Sequence, residues 1–214
     1  MIHNSKFFDN FGQLISKYPN IDLTDAFSKG QMESKRWLIN TLLGLNLPLG
    51  NIFLCAGWYG TLATFLLESG IELKAIRSFD IDDLCADIAD TLNRSWVIDN
   101  WKFKASTLDI TTMTYPLTYT TKRANGTEVI LTESPDTIIN TSCEHIKNFN
   151  KWYNNIPFGT LLVLQSNNFS DIADHINCSA SIDDFSKITP MSNVFYQGEL
   201  VLEKYTRFMK IGIK

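Results

Sequence analysis

Three short stretches of this 214-residue chain bring together residue types that could do chemistry. In Gly57-Trp58-Tyr59-Gly60 the two glycines let the backbone approach a ligand with no Cβ in the way, or simply close a tight turn. Asp80-Ile81-Asp82-Asp83 crowds carboxylates into one short segment. An acid about twenty residues beyond a glycine loop is placed to accept hydrogen bonds from ribose hydroxyls. Asp is equally a favoured helix N-cap. The expectation is that Asp80 binds a ligand and that Asp82 or Asp83 caps. The third stretch, Asn140-Thr141-Ser142-Cys143-Glu144-His145, ends in an acid–imidazole pair able to act as a general base or to orient an acceptor. His145 reads equally as a hydrogen-bonded packing residue at a helix start. A further candidate is Asp109 in Thr107-Leu108-Asp109-Ile110, either an acceptor for an adenine amino group or a solvated loop acid.

Other chemistries find no support. His3, His145 and His175 are dispersed and show no metal-ligand spacing, so no metal is expected. The cysteines (Cys55, Cys85, Cys143, Cys178) lie far apart with no C-x-x-C pair, which suits neither zinc nor a disulfide framework. Cys143 lacks the basic surroundings that make a thiol nucleophilic. Neither a G-x-S-x-G elbow nor a G-x-x-x-x-G-K-[ST] phosphate loop is present.

The elements that must position these residues follow from periodicity. Phe7, Phe8, Phe11, Leu14 and Ile15 make a helical stripe ended by Pro19. A second helix is expected from just after Thr24 or Asp25, through Trp37, Leu38 and Leu42, to a stop before Pro48. From Asn51 the pattern changes to short apolar runs that read as buried strands: Ile52–Ala56, Ala75–Phe79, Trp101–Lys104, Thr137–Asn140 and Thr160–Gln165. Helices are expected over Thr61–Ser69, Asp83–Leu92 and Asn148–Asn155, between strands. That alternation argues for βαβ crossovers and a parallel sheet. Tyr115–Thr132 breaks the rhythm with a hairpin signal at Asn125-Gly126. Val194–Lys214 is strand-like throughout and suits an antiparallel pair on the sheet edge. The fold class is therefore α/β: a Rossmann-like, doubly wound, mostly parallel sheet with a C-terminal antiparallel hairpin and N-terminal capping helices. Residues 1–50 form the helical cap and 51–214 the sheet domain of one compact unit.

Composition adds boundaries. Hydrophobic residues make up 44% and charged ones 20%, the balance of a globular chain. A net charge of -4 gives no general attraction to phosphate backbones, so a nucleic-acid partner is unsupported. No run approaches the roughly 20 apolar residues of a membrane helix. The opening Met1-Ile2-His3-Asn4-Ser5-Lys6 lacks the apolar core of a secretory signal, and a reducing cytoplasm is the expected location.

Taken in order, these residues resemble the class I S-adenosylmethionine-dependent methyltransferase superfamily, over about Asn51 to Lys214. In that family the first strand ends in a glycine loop, similar to Cys55-Ala56-Gly57-Trp58-Tyr59-Gly60. The second ends in a ribose-binding acid, matching Asp80 with Ile81 beside it, and an acid after the third contacts adenine, matching Asp109. Small-molecule members, the ubiquinone-type O-methyltransferases among them, carry a Glu-His pair after the fourth strand, matching Glu144-His145. The fifth strand is similar to Pro157-Phe158-Gly159-Thr160-Leu161-Leu162-Val163. The resemblance implies S-adenosylmethionine as cofactor, a small-molecule acceptor, and Glu144 or His145 as base. Two departures stand out: Cys55 replaces an acid that contacts the methionine amine, and Tyr59 replaces the middle glycine. Gln31 or Lys35, on the second helix, is expected to reach the amino-acid end of the cofactor in compensation, or else to lie on a solvated helix face. The N-P-P-[YF] tetrapeptide of enzymes that methylate base amines is absent. Two alternatives stay open: a non-catalytic module of the same fold, and a nicotinamide-dependent oxidoreductase, whose G-x-G-x-x-G fingerprint is not met.

Overall fold

The computed structural model describes residues 5–123 and 125–214; His3 and the opening tetrapeptide, on which the leader reading rests, lie outside them. Two helices, α1 (Ser5–Lys17) and α2 (Lys29–Leu45), lead into β1 (Asn51–Cys55), α3 (Thr61–Glu68), β2 (Ala75–Asp80), α4 (Asp83–Leu92), α5 (Arg94–Ile98) and β3 (Phe103–Thr107). A hairpin of β4 (Leu117–Lys122) and β5 (Glu128–Glu133) follows. The chain then runs through β6 (Thr137–Asn140), α6 (Phe149–Asn155), β7 (Leu161–Asn167), α7 (Ile182–Ile188), β8 (Asn193–Val201) and β9 (Thr206–Ile213).

The main sheet has the order β3-β2-β1-β6-β7-β9-β8, with β1, β2, β3, β6 and β7 parallel and β9 antiparallel to both its neighbours. Side chains of a strand alternate between faces, and β1 shows the consequence. Ile52 and Leu54 join Leu38 and Leu42 of α2 and Leu62 and Leu66 of α3 in one apolar cluster. Phe53 and Cys55 enter the other, with Trp152 of α6, Phe185 of α7 and Tyr119 of β4. Both faces are thus covered, which is why the strands read as continuous apolar runs instead of alternating ones.

The hairpin takes the place of a crossover helix between β3 and β6. Leu117 and Tyr119 point inward, and the Tyr119 ring meets Phe79 edge-on at 5.2 Å. Arg77 of β2 anchors Glu133 of β5 at 2.8 Å, and the Tyr119 hydroxyl donates to the same carboxylate at 2.7 Å.

Several boundaries differ from expectation. α2 begins at Lys29: residues 24–27 form a turn, and Ser28 is the N-cap, accepting from the Gln31 N–H at 3.5 Å. β3 starts at Phe103 because Asn100 and Trp101 both have left-handed backbones (φ 47° and 56°) that turn the chain into the strand. Two short helices arise where the sequence marked no element. α5 buries no residue and α7 buries Phe185 alone, so neither imprints an apolar period on the sequence. Among the described residues no helix is long and apolar enough to cross a membrane.

Candidate functional site

Strand β1 pairs with β2 on one side and β6 on the other, so successive crossovers leave it in opposite directions. An open parallel sheet forms a crevice at such a point, outside the carboxyl ends of its strands. The register brings Cys55, Phe79 and Asn140 level there, with Asp80 opposite Thr107. Glycine loop, Asp80, Asp109 and the Glu144-His145 turn therefore lie along one edge of the sheet.

Asp80 organises this edge. Its Oδ2 accepts the Trp58 N–H at 2.8 Å and its Oδ1 the Asp82 N–H at 3.2 Å, tying the glycine loop to the tip of β2. Asp82 caps α4 by accepting from the Leu84 N–H at 2.9 Å, the capping role expected of Asp82 or Asp83. Ile81, 72% exposed, sets an apolar side chain beside the carboxylate. Asp109 accepts the N–H and hydroxyl of Thr111 at 2.9 and 2.7 Å, capping the 3-10 turn Ile110–Thr112.

The loop itself is strained. Ala56 and Trp58 hold left-handed backbones (φ 52° and 49°), which cost non-glycine residues on the order of 1–3 kcal/mol each. The glycines are required by packing within the chain: a Cβ on Gly57 would run into the Ser78 hydroxyl, and one on Gly60 would lie 2.8 Å from Asn93 Nδ2. Tyr59 stacks on Trp58 (centroids 4.7 Å apart) and packs with Leu14 of α1 and Ile88 and Leu92 of α4. Cys55 is fully buried among apolar side chains, and burial pushes its thiol far up, so it supplies no charge at the end of β1.

On the far side of the crevice the chain builds a buried polar chain that the sequence reading missed. Glu144 Oε1 accepts from Asn167 Nδ2 at 2.5 Å and from Arg207 at 3.3 Å. Side chains of Arg207 and Glu144 are only 5% and 1% exposed. Arg207 also donates to Gln165 Oε1 at 3.4 Å, and Ser34 of α2 donates to the same oxygen at 2.8 Å. The polar triplet Gln165-Ser166-Asn167 ending an apolar strand was the available signal; Arg207, one of two basic residues in β9, gave none. His145 is exposed, and its ring lies edge-on to His175 with centroids 4.5 Å apart. Partial desolvation holds the His145 pKa below its ordinary value against the pull of Glu144, so the ring is neutral near pH 7. Thirty residues of sequence hide this contact.

Gln31 and Lys35 meet each other, the Lys35 ammonium donating to Gln31 Oε1 at 2.6 Å. Burial, then the positive charge of Arg207, lowers the Lys35 pKa to about 7, with Asp25 opposing. Lys35 is thus a buried residue, not part of a solvated face. Between pH 7 and 10 the unfolded chain binds this proton and the folded chain has lost it, so Lys35 makes stability rise with pH across that window. Lys35→Met is expected to flatten the rise, measured as thermal midpoint against pH; an unchanged slope would place the ammonium in water.

The edge also holds unpaired polarity. Asn140 Nδ2, Glu144 Oε2, Ser166 Oγ and Arg207 Nε are buried without a partner, on β6, the turn after it, β7 and β9. Buried polar atoms are normally satisfied, so these fit a polar ligand seated at the strand tips. No protein-family model matches the sequence, and no curated protein matches it either. Solved structures do match in shape. The N-methyltransferase NodS of Bradyrhizobium japonicum WM9, in complex with S-adenosyl-L-homocysteine, aligns at TM-score 0.62 and 12% identity over 96% of this chain and 98% of its own. Magnesium protoporphyrin IX methyltransferase of Synechocystis PCC 6803, with bound S-adenosylmethionine, aligns at TM-score 0.55 and 14% identity over 99% and 92%. The chain has the class I methyltransferase fold. Small RNA methyltransferase HEN1 shares that fold as well, at TM-score 0.60 and 13% identity over 88% of this chain and 26% of that one. In this methyltransferase fold the seventh strand in spatial order is β8, and the mixed end of the sheet is the expected antiparallel pair.

Proposed function

We propose that this chain is an S-adenosylmethionine-dependent methyltransferase acting on a small-molecule acceptor. The observation that carries the reading is Asp80: a carboxylate at the tip of β2, tied to the backbone of the glycine loop beside an exposed Ile81. Bound S-adenosylmethionine supplies a methyl group on a sulfonium that is its own leaving group. The chain's part is then mostly positioning, with acceptor and methyl held at about 3–3.5 Å. Asp80 holds the ribose hydroxyls, Ile81 covers the purine, Asp109 takes its amino group, and Gly57, Trp58, Tyr59 and Gly60 line the approach through their backbone. Gln31 or Lys35 reaches the amino-acid end, Gln31 toward its ammonium or Lys35 toward its carboxylate, partly replacing the acid absent at Cys55. Neutral His145 faces the acceptor and receives its proton where there is one to lose. Glu144, buried against Arg207, positions the turn that carries His145. The net charge of -4 and the missing N-P-P-[YF] tetrapeptide favour a small acceptor over a nucleic-acid base.

Thermal shift with S-adenosylmethionine, S-adenosylhomocysteine, NAD and NADP tests the cofactor, because a ligand selective for the folded state raises the midpoint. The first two are expected to raise it and the nicotinamides not. Transfer of labelled methyl into cell-extract small molecules tests catalysis, and its absence would leave a binding module. His145→Ala is expected to spare cofactor affinity and lower turnover about 10²-fold or more; unchanged turnover would remove His145 from the reaction.

A further inference from the structure

We propose that Glu144, His145 and His175 form a binding site for one divalent first-row transition cation, Mn²⁺ to Zn²⁺, at the acceptor side of the crevice; only that placement rests on the methyltransferase reading, and His145 accepts a proton only while the ion is absent. The candidate ligand atoms of the three residues all lie within 4.8 Å of one another. Ligands at about 2.0–2.2 Å from one ion sit roughly 3–3.5 Å apart, so side-chain rotation closes the difference.

Three observations make this more than proximity. First, Glu144 is 1% exposed and its Oε2 has no hydrogen-bond partner, while Oε1 is held by Asn167 and Arg207. A buried carboxylate oxygen without a donor is costly, and a cation satisfies it. Second, the His175 imidazole is oriented through one nitrogen by a main-chain group. His175 Nδ1 lies against the Phe169 carbonyl, which only accepts, so Nδ1 carries the proton and Nε2 keeps its lone pair. A metal-ligating imidazole typically has its other nitrogen fixed in this way. Third, the segment carrying His175 is fastened to the Glu144 turn itself. The Asn177 N–H donates to the Glu144 carbonyl at 2.8 Å, and Asn177 Nδ2 to the Ile146 carbonyl. The rigid turn therefore brings residues thirty apart to one point.

Two nitrogens and one oxygen suit the Mn²⁺ to Zn²⁺ range better than the all-oxygen sets of Ca²⁺ and Mg²⁺. Arg207 opposes a cation but lies on the other carboxylate oxygen, and the Asp174 charge acts on His145 in the opposite sense.

The test is equilibrium dialysis of the full chain against Mn²⁺ and Zn²⁺ with metal analysis, and Mn²⁺ paramagnetic resonance. One ion per chain is expected, weakened at least about tenfold by His145→Ala and by His175→Ala. Circular dichroism confirms folding of each variant, and calorimetry reports S-adenosylhomocysteine affinity in the same samples. No binding of either ion below millimolar concentration, or binding by both variants as tight as the parent's, overturns the site. Mn²⁺ bound at the triad by a chain that ignores S-adenosylhomocysteine would uphold the site and sink the methyltransferase reading instead.

Discussion

Asp80→Ala is expected to weaken S-adenosylmethionine binding by a hundredfold or more. Two hydrogen bonds from ribose hydroxyls to a carboxylate are worth about 1.5–3 kcal/mol each, and about 1.4 kcal/mol is a factor of ten. Asp80 also holds the Trp58 N–H at 2.8 Å, so its removal frees a loop whose left-handed Ala56 and Trp58 are already strained. Asp80→Asn separates the two contributions. It keeps an acceptor for Trp58 while losing the charge, and should fall between the alanine variant and the parent. Calorimetric titration measures all three; undiminished affinity in Asp80→Ala would remove the ribose contact and with it the cofactor assignment.

Arg207→Met should produce the largest loss of stability of any single change at the site. It leaves Glu144 buried and ionised with no counter-charge, a situation that costs about 3–5 kcal/mol. For a domain of this size each kcal/mol lowers the thermal midpoint by about 2–4 °C, so a fall of roughly 6–20 °C is expected. Combining it with Glu144→Leu removes the stranded charge, and the double variant should recover most of that fall. A single variant that melts with the parent would show that the pair is solvated in solution.

The fold was legible because a parallel sheet covered on both faces writes itself as apolar runs. Ile52–Cys55, Thr137–Asn140 and Leu161–Leu164 could hardly be anything else. The glycine-loop side of the crevice was legible for a related reason: loops at the mouth of an open sheet follow strand ends in sequence, so Gly57 and Asp80 stand out locally. The opposite side was not. Its groups come from α2, β6, β7, the loop at His175 and β9, and nothing in the spacing of Ser34, Glu144, Gln165, His175 and Arg207 encodes that they meet. Asp109 shows the limit from the other direction: its type and place suited an adenine contact, but nothing in the sequence told that its Oδ1 would also cap the turn at Thr111, leaving Oδ2 for such a contact.

The position of β9 has a consequence for biosynthesis. Because β9 lies between β7 and β8 and carries Arg207, a nascent or truncated chain that stops before Thr206 has its glycine loop and Asp80 complete while Glu144 still lacks its counter-ion. The two halves of the crevice are thus completed by different stretches of the chain, and the side that holds Glu144 depends on the last strand.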